Sequence, residues 1–277
     1  MRNDIAVNPI AGACGAEIDG VDLSQPMDDG TFQTVERALL DHQVIFFRNQ
    51  TLTPEQQKAF GRRFGELRVS DQYQPINGHP EILEIVKEPD ATGIVGNLWH
   101  CDESFMERPA LGSILYMIEC PDYGGDTMFA NQYAAYEALS PSMQEMLSSL
   151  RAVYSDRTLG QRNKGRSMKV HRDADKRPSY ETVHPVVRTH PQTGRKCLFV
   201  HRPYTIRFDG MTEAESAPLL EYLYAHASRP EFTCRFRWDV GSVAFWDNRC
   251  AQHYALNDYT GIRRYGHRIT IIGDVPH

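Results

Sequence analysis

The chain carries two periods of apolar residues, one typical of helices and one typical of strands. Over residues 30–42 apolar side chains recur every three or four positions, which predicts a helix. From Phe232 to Trp238 they occupy every second position, which indicates a strand with one buried face. Shorter apolar runs predict further strands at Val44–Phe47, Ile114–Ile118, Ser242–Trp246 and Arg268–Ile272.

Capping residues mark three further helix starts. A Ser or Thr before the first helical position can accept a hydrogen bond from the free backbone N–H groups, and proline suits the first position itself. A Glu or Gln at the third helical position completes a capping box. The residues that carry these signals are Thr53-Pro54 with Gln56, Ser140-Pro141, and Thr212 with Glu215. Pro218 leaves the start of the last helix open by a few residues.

The distribution of these elements indicates the fold class. Many short strands with a few helices predict a mostly β fold with helical cover, either a β-sandwich or a jelly roll. No Gly/Ser/Pro-rich linker divides the sequence, so residues 1–277 are expected to form a single domain. Residues 162–178 are polar, basic and aperiodic, and we expect them to form an excursion from the core or a lid.

Composition and charge limit the classes of molecule that this protein is expected to bind. The formal net charge of −6 argues against nucleic acid, and no apolar run approaches the ~18–20 residues of a membrane span. The start of the chain lacks an apolar signal core, which favours a cytoplasmic protein that acts on a small molecule. Self-association into a homo-oligomer stays open. The six cysteines form no C-x-x-C pair, and we expect them to be mostly small buried residues.

The strongest chemical signal is an H-x-D pair, His100 and Asp102. On a strand or its extended end, residues two apart point to the same face, so both side chains can reach one metal ion. Two histidines and one carboxylate on one face of an octahedral ion leave three positions open, which suits Fe(II) with a chelating cosubstrate and O₂. A second pair, His171 and Asp173, has the same spacing but lies in the basic segment without a neighbouring strand.

A third ligand and a set of arginines lie further along the chain. His253 follows a predicted strand and a turn, so a rigid element would deliver it to the metal. Arg263, Arg264 and Arg268 come next. An arginine can donate two parallel hydrogen bonds to a carboxylate, which is what the far end of a bound keto acid requires.

Together these segments resemble the family of taurine dioxygenase and dichlorophenoxyacetate dioxygenase, which are iron- and 2-oxoglutarate-dependent oxygenases on a double-stranded β-helix. The similar stretches follow the order of the family from about Pro9 to Asp274. They are GAEIDGVDLSQPM, QVIFFRNQTLTPEQQKAFGRRFGEL, WHCDESF, PDYGGDTMFAN, ETVHPVVRTHPQTGRKCLFV and WDNRCAQHYALNDYTGIRRYGHRITIIGD.

This resemblance implies roles for individual residues. His100, Asp102 and His253 match the iron ligands. Thr127 and Arg264 match the residues that bind the distal carboxylate of 2-oxoglutarate, and Arg268 matches the arginine that lies beside the cosubstrate and meets the anionic group of the substrate. Alternation along residues 264–268 suggests that both guanidinium groups face one cavity. The cosubstrates implied are 2-oxoglutarate and O₂.

The sequence identifies the residues of the substrate pocket less clearly than it identifies the metal ligands. The resemblance places Tyr73, Asn97 and Tyr204 in pocket-forming segments and makes the backbone N–H of Glu103 a further donor. Arg268 suggests a sulfonate, sulfate or carboxylate, with Arg202 as the alternative anion partner. Two departures from the family pattern argue against taurine itself. Taurine-specific members have a histidine in the loop that corresponds to residues 70–73, which read SDQY here, and the family has Val-Asn where residues 199–204 read FVHRPY.

Two other classes of protein remain open at this stage. A zinc-type metal hydrolase would use the same three ligands without needing Thr127 or Arg264. A non-catalytic β-helix binding protein would have little reason to keep all three ligands.

For the oxygenase, hydroxylation of a carbon next to a heteroatom would give an unstable product, so that cleavage of the substrate could follow oxidation.

Overall fold

A computed structural model describes residues 5–157, 169 and 179–277. The helices are α1 (Asp29–His42), α2 (Pro54–Arg62), α3 (Gln132–Glu137), α4 (Pro141–Ser148) and α5 (Glu213–Ala227). The strands are β1 (Ala6–Pro9), β2 (Ala16–Asp19), β3 (Val44–Phe47), β4 (Pro75–Ile76), β5 (His79–Lys87), β6 (Ala110–Glu119), β7 (Thr127–Asn131), β8 (Arg151–Ser155), β9 (Glu181–Pro185), β10 (Val187–Thr189), β11 (Lys196–Leu198), β12 (Thr205–Phe208), β13 (Thr233–Phe236), β14 (Val243–Asp247), β15 (Ala251–Ala255) and β16 (Arg264–Ile272).

The predicted helix starts are confirmed by their caps. Thr53 and Gln56 form a reciprocal capping box at the start of α2, and Thr212 and Glu215 form another at the start of α5. Ser140 accepts from a backbone N–H at the start of α4. Helix α5 continues through Pro218, so this proline lies inside the helix and does not displace its start.

Eight strands form one large sheet in the order β1-β2-β3-β14-β6-β16-β5-β4. All neighbouring pairs are antiparallel except β2 and β3. Strands β3 and β14 are buried at every position, because one face of the sheet packs against α1 and α2 and the other faces a second layer. Both β6 and β16 extend beyond the predicted strands, since their outer ends pair in the sheet without an apolar pattern.

The second layer is a three-stranded sheet in the order β13-β7-β15. An apolar cluster fills the space between the two sheets, and within it the rings of Phe46 and Phe236 stack at 3.9 Å between centroids. The alternation predicted for residues 232–238 is present, but the strand is shorter than predicted because Phe232 belongs to a 3₁₀ turn, Pro230–Phe232. The site described below lies where these two sheets approach each other.

The remaining helices and strands form a separate apolar cluster. Helices α3, α4 and α5 pack with the sheet β12-β8-β9 around buried residues such as Tyr154, Phe199 and Leu223. Five of the six cysteines are buried, as expected, and all six are free thiols. In the ranges that the structure describes, no helix has both the length and the apolar character needed to cross a bilayer.

Candidate metal centre

Two histidines meet through direct backbone pairing. The N–H of His253 donates to the carbonyl of His100 at 2.9 Å, and the N–H of His100 donates to the carbonyl of His253 at 3.2 Å. Strand β15 carries His253 and is paired with β7, so the sheet fixes its position. The two imidazole centroids are 4.1 Å apart as a result.

A glycine allows the backbone just before His100 to pass close to the imidazole ring of that histidine. Gly96 has φ +86°, a conformation that L side chains rarely adopt, and a Cβ there would lie 3.4 Å from Cε1 of His100. The carbonyl of Gly96 also accepts from the N–H of Ala255 at 2.8 Å, which ties this turn to the end of β15. The turn therefore places His100 beside the strand that carries the second histidine.

Asp102 completes a group of three buried ligands. Its Oδ1 is 3.8 Å from Nε2 of His100, and its Oδ2 is 3.8 Å from Nε2 of His253. One ligand atom from each residue lies within 4.8 Å of the others, so all three can reach a single ion. Nδ1 of His100 is 2.6 Å from the carbonyl oxygen of Leu98, which can only accept, so Nδ1 carries the proton and Nε2 keeps its lone pair.

The carboxylate of Asp102 is held by the large sheet. The hydroxyl of Ser113 on β6 donates to Oδ2 at 2.7 Å, and Nη1 of Arg268 on β16 donates to Oδ1 at 3.0 Å. The side chain of Asn248 accepts from the Asp102 N–H at 3.0 Å and donates to the hydroxyl of Ser113 at 3.2 Å. Trp246 holds that asparagine through its indole N–H.

Electrostatics keep these groups in the protonation states that a metal requires. Burial alone would raise the pKa of Asp102, but the charge of Arg268, the two histidines and the Ser113 hydrogen bond together hold that pKa well below its usual range. Burial and the proximity of His100 lower the pKa of His253. An ionised carboxylate and a neutral imidazole are metal-binding forms of these side chains.

A cavity of about 200 Å³ opens beside His100 and Asp102. Five residues singled out from the sequence line it: Tyr73, Asn97, Glu103, Tyr204 and Arg268. Arg202, the alternative anion partner, instead forms a bidentate pair with Glu221 in which both side chains are more than half exposed.

Some of the residues that line the cavity were not predicted from the sequence. Arg68 lines the cavity, and its Nε lies 2.5 Å from Oε2 of Glu103. Phe105 and Tyr180 also line it, with ring centroids 6.1 Å apart. Burial raises the pKa of Glu103 to about 7, while the positive charges of Arg68 and Arg268 oppose a further rise. The position of Arg68, two residues before the SDQY loop, was the only signal available for it.

Thr127 and Arg264 come together at Trp238. The hydroxyl of Thr127 accepts from the indole N–H at 3.0 Å, and the guanidinium carbon of Arg264 lies 5.5 Å from the centroid of the indole ring. Arg264 is buried, and its Nε has no hydrogen-bond partner among the described residues. Gly125 approaches this side chain closely, since a Cβ there would lie 3.3 Å from Cδ of Arg264.

The two arginines of β16 have different surroundings. Arg268 lines the cavity beside Asp102, whereas Arg264 is not among the described residues that line it. The simple alternation expected over residues 264–268 is interrupted where the pairing of β16 with β6 shifts register between Tyr265 and Gly266. The expectation that both guanidinium groups face one cavity is therefore not met by this cavity.

A second buried group in the described part of the chain consists of His190, Asp247 and Cys250. Its carboxylate is already occupied, because Arg249 donates to both oxygens and Nε2 of His190 lies 3.0 Å from Oδ2. Nδ1 of His190 accepts backbone N–H groups from residues 192 and 193, so no imidazole lone pair is left for a metal. This group supports the fold.

The other H-x-D pair, His171 and Asp173, lies outside the described residues, as does segment 162–178 apart from Lys169.

Comparison with known proteins agrees with this geometry. The family model described as "Taurine catabolism dioxygenase TauD, TfdA family" matches residues 6–270. The chain belongs to this family. It is a dioxygenase, and its site combines a His-Asp-His group with an adjoining cavity.

Three relatives illustrate the range of the family. An alpha-ketoglutarate-dependent sulfate ester dioxygenase of Pseudomonas putida is 38% identical over 99% of this chain and 91% of its own length. An alpha-ketoglutarate-dependent 2,4-dichlorophenoxyacetate dioxygenase of Cupriavidus pinatubonensis is 32% identical over 98% of both chains. The crystal structure of a taurine dioxygenase from Burkholderia xenovorans is 38% identical, has a TM-score of 0.85, and is matched over 99% of this chain and 93% of its own.

Proposed function

We propose that this protein is an Fe(II)- and 2-oxoglutarate-dependent dioxygenase that hydroxylates a small organic anion. The observation that carries the proposal is the convergence of His100, Asp102 and His253 within 4.8 Å, with His100 and Asp102 at the wall of a cavity. Two imidazoles and one carboxylate form the ligand set of non-haem Fe(II) oxygenases. When Fe(II), 2-oxoglutarate and O₂ are bound, they supply an oxidation that hydroxylates a carbon–hydrogen bond and releases succinate and CO₂.

The residues around Trp238 fit the far carboxylate of 2-oxoglutarate. A buried guanidinium whose Nε lacks a partner is costly unless a ligand supplies an acceptor. Arg264 meets that description. Thr127, whose hydroxyl accepts from the indole N–H of Trp238, is a second hydrogen-bonding group beside the same ring. We infer that these two side chains bind and orient the cosubstrate.

The two facing sheets support a double-stranded β-helix, or jelly roll, as the architecture of this site. Both layers hold the ligands in place, since β15 carries His253 and the large sheet binds the carboxylate of Asp102 through Ser113 and Arg268. The apolar cluster between the layers keeps them in fixed register. We further propose that residues 1–277 form one catalytic domain.

The cavity residues fit a small anion. Arg268 presents a largely buried guanidinium 3.0 Å from Asp102. We infer that this group, the backbone N–H of Glu103 and the side chains of Tyr73, Asn97 and Tyr204, whose residues all line the cavity, orient the substrate and exclude water. The relatives named for sulfate esters and for 2,4-dichlorophenoxyacetate make sulfate esters, sulfonates and aryloxyalkanoic acids the compounds to test. The SDQY loop, which lacks a histidine, argues against taurine.

The test is a mass-spectrometric screen of the protein with Fe(II), 2-oxoglutarate and a panel of sulfate esters, sulfonates and aryloxyalkanoic acids. We expect succinate formation that depends on at least one of these compounds. Turnover of a compound without O₂ or 2-oxoglutarate would instead indicate a zinc-type hydrolase. Binding without any turnover would indicate a β-helix binding protein.

Variants of the proposed ligands provide the second arm of this test. His100→Ala, Asp102→Ala and His253→Ala should each abolish substrate-dependent succinate formation, because each removes one of three ligands. His171→Ala, from the other H-x-D pair, serves as the matched control and should remain nearly as active as the parent. An inactive His171→Ala together with unchanged iron binding in the other three variants would overturn the assignment.

A further inference from the structure

A buried lysine lies beside the proposed cosubstrate site. Lys87 ends β5 and is only 4% exposed. Its Nζ donates to Oδ1 of Asn257 at 2.8 Å and to the carbonyl of Tyr259 at 2.7 Å, and it lies 4.0 Å from the centroid of the Tyr259 ring. A buried lysine is ordinarily paired with a carboxylate, but both of these acceptors are neutral. Lys87 therefore holds in place the segment that carries them.

That segment, residues 256–259, directly follows β15 and is tied to the backbone before Thr127. The N–H of Leu256 donates to the carbonyl of Asp126 at 2.9 Å. Oδ1 of Asp258 accepts from the N–H of Gly125 at 2.7 Å. The hydrogen bonds of Lys87 therefore act on a segment that is itself attached to the start of β7.

Tyr259 and Arg264 pack against the same glycine. Gly125 has φ +68°, and a Cβ there would lie 3.0 Å from Cε1 of Tyr259 and 3.3 Å from Cδ of Arg264. Burial raises the pKa of Tyr259, and the nearby charge of Arg264 opposes that rise. The ring of Tyr259 therefore limits the space in which the side chain of Arg264 can move.

Lys87 and Arg264 are also direct partners in the antiparallel pairing of β5 with β16. Side chains of such partners lie on the same face of the sheet, and two like charges there destabilise the pairing. A carboxylate bound at Arg264 would offset part of this cost, because it attracts both cations. The strand pairing thus favours an anionic ligand at this position.

We propose that Lys87 and Tyr259 are positioning residues for 2-oxoglutarate. Lys87 fixes the 256–259 segment and the ring of Tyr259, and that ring holds Arg264 in the orientation in which its guanidinium meets the distal carboxylate. Neither residue touches the reacting atoms, and both act through Arg264. This inference rests on the proposed function and adds residues that the proposed function does not use.

The experiment compares two keto acids in calorimetric titrations of the Mn(II)-loaded protein without O₂. One is 2-oxoglutarate, and the other is 2-oxopentanoate, which has the same carbon chain but no distal carboxylate. Lys87→Met should weaken 2-oxoglutarate binding by about ten- to a hundredfold, the range found for groups that orient metal ligands. Its affinity for 2-oxopentanoate should equal that of the parent, because this compound has no group for Arg264.

A second lysine provides the matched control. Lys58 lies on α2, is also buried, and has Glu81 at 3.7 Å from its Nζ. Lys58→Met should leave both titrations unchanged. A loss of 2-oxoglutarate affinity in this variant as large as that in Lys87→Met would show that the removal of any buried lysine disturbs the site, and would overturn the inference.

A double variant tests whether Lys87 acts through Arg264. Two residues that act through one interaction are not additive, so Lys87→Met should cause no further loss of 2-oxoglutarate affinity in an Arg264→Ala protein. A further loss in that protein as large as the loss in the parent would show that Lys87 acts independently, which contradicts the proposal.

Two variants of Tyr259 test the role of its ring. Tyr259→Leu removes the ring and should weaken 2-oxoglutarate binding as Lys87→Met does. Tyr259→Phe keeps the ring and removes a hydroxyl that has no hydrogen-bond partner among the described residues, so its affinity should match that of the parent. Equal losses in both variants would contradict positioning by the ring.

The possible failures are distinguishable. If Lys87→Met binds 2-oxoglutarate as the parent does, or loses affinity for both keto acids equally, this inference is wrong and the proposed function stands. If the Mn(II)-loaded parent does not bind 2-oxoglutarate, the proposed function itself fails.

Discussion

At the scale of single residues, Asp102 and Arg264 represent two different uses of burial. Asp102 is buried with partners for both oxygens, so its charge is stabilised before any metal arrives. Arg264 is buried with its Nε unpaired among the described residues, so a bound carboxylate would gain a strong partner there. Replacement of Asp102 by alanine should therefore remove a metal ligand, whereas replacement of Arg264 by alanine should remove a group that binds the proposed cosubstrate.

Arg264→Ala should weaken 2-oxoglutarate binding by roughly thirty- to a thousandfold, the effect expected for a partly buried bidentate ion pair of about 2–4 kcal/mol. Thr127→Ala removes a neutral group and should cost about 1 kcal/mol. Calorimetric titration of the Mn(II)-loaded protein without O₂ measures both.

The matched control for this prediction is Arg263→Ala. Arg263 is the neighbouring arginine, but its guanidinium pairs with Glu88 and Glu119 at the surface. Its removal should leave the titration unchanged. An Arg264→Ala protein that binds 2-oxoglutarate as the parent does would place the cosubstrate elsewhere.

At the scale of elements, the centre of the large sheet acts as the support of the metal site. Ser113 on β6 and Asn248, which directly follows β14, meet at Asp102, and both strands are buried at this point. Groups that orient a metal ligand commonly matter nearly as much as the ligand itself. The pairing of β6 with β14 thus determines the direction of the carboxylate.

Ser113→Ala and Asn248→Ala should each weaken Mn(II) binding by about ten- to a hundredfold, because Asp102 loses a donor that fixes its rotamer. Equilibrium dialysis of the metal gives the affinity directly. Ser216→Ala is a suitable control, since Ser216 is also fully buried, but among the described residues its hydroxyl bonds only to backbone groups of Thr212 and Phe208. Equal metal affinity in all three variants would show that Asp102 needs no such support.

At the scale of the whole molecule, a buried histidine connects the sheet β12-β8-β9 to the segment that follows the metal ligand Asp102. His184 lies in β9, and its Nε2 is 2.9 Å from the carbonyl oxygen of Met106, a residue that lines the cavity. Burial lowers the pKa of His184 to about 4, so the folded protein keeps this imidazole neutral. In an unfolded chain the same group would gain a proton near its ordinary pKa of about 6.5.

This difference predicts a pH dependence of stability with a definite sign. Between about pH 6.5 and pH 4 the unfolded state binds the proton that the folded state excludes, so stability falls as the pH falls, by up to about 1.4 kcal/mol per unit from this group. Urea unfolding at several pH values should show a smaller decline for His184→Phe than for the parent. An identical pH slope in both proteins would contradict the assignment.

Local signals and tertiary contacts decided different parts of this structure. Thr53 with Gln56 and Thr212 with Glu215 fixed helix starts, because a cap depends only on residues three positions apart. The H-x-D spacing indicated His100 and Asp102 for the same local reason. The support of Asp102 by the sheet and the contact of Arg68 with Glu103 depended on which strands and loops the fold brings together, and no periodicity encodes that.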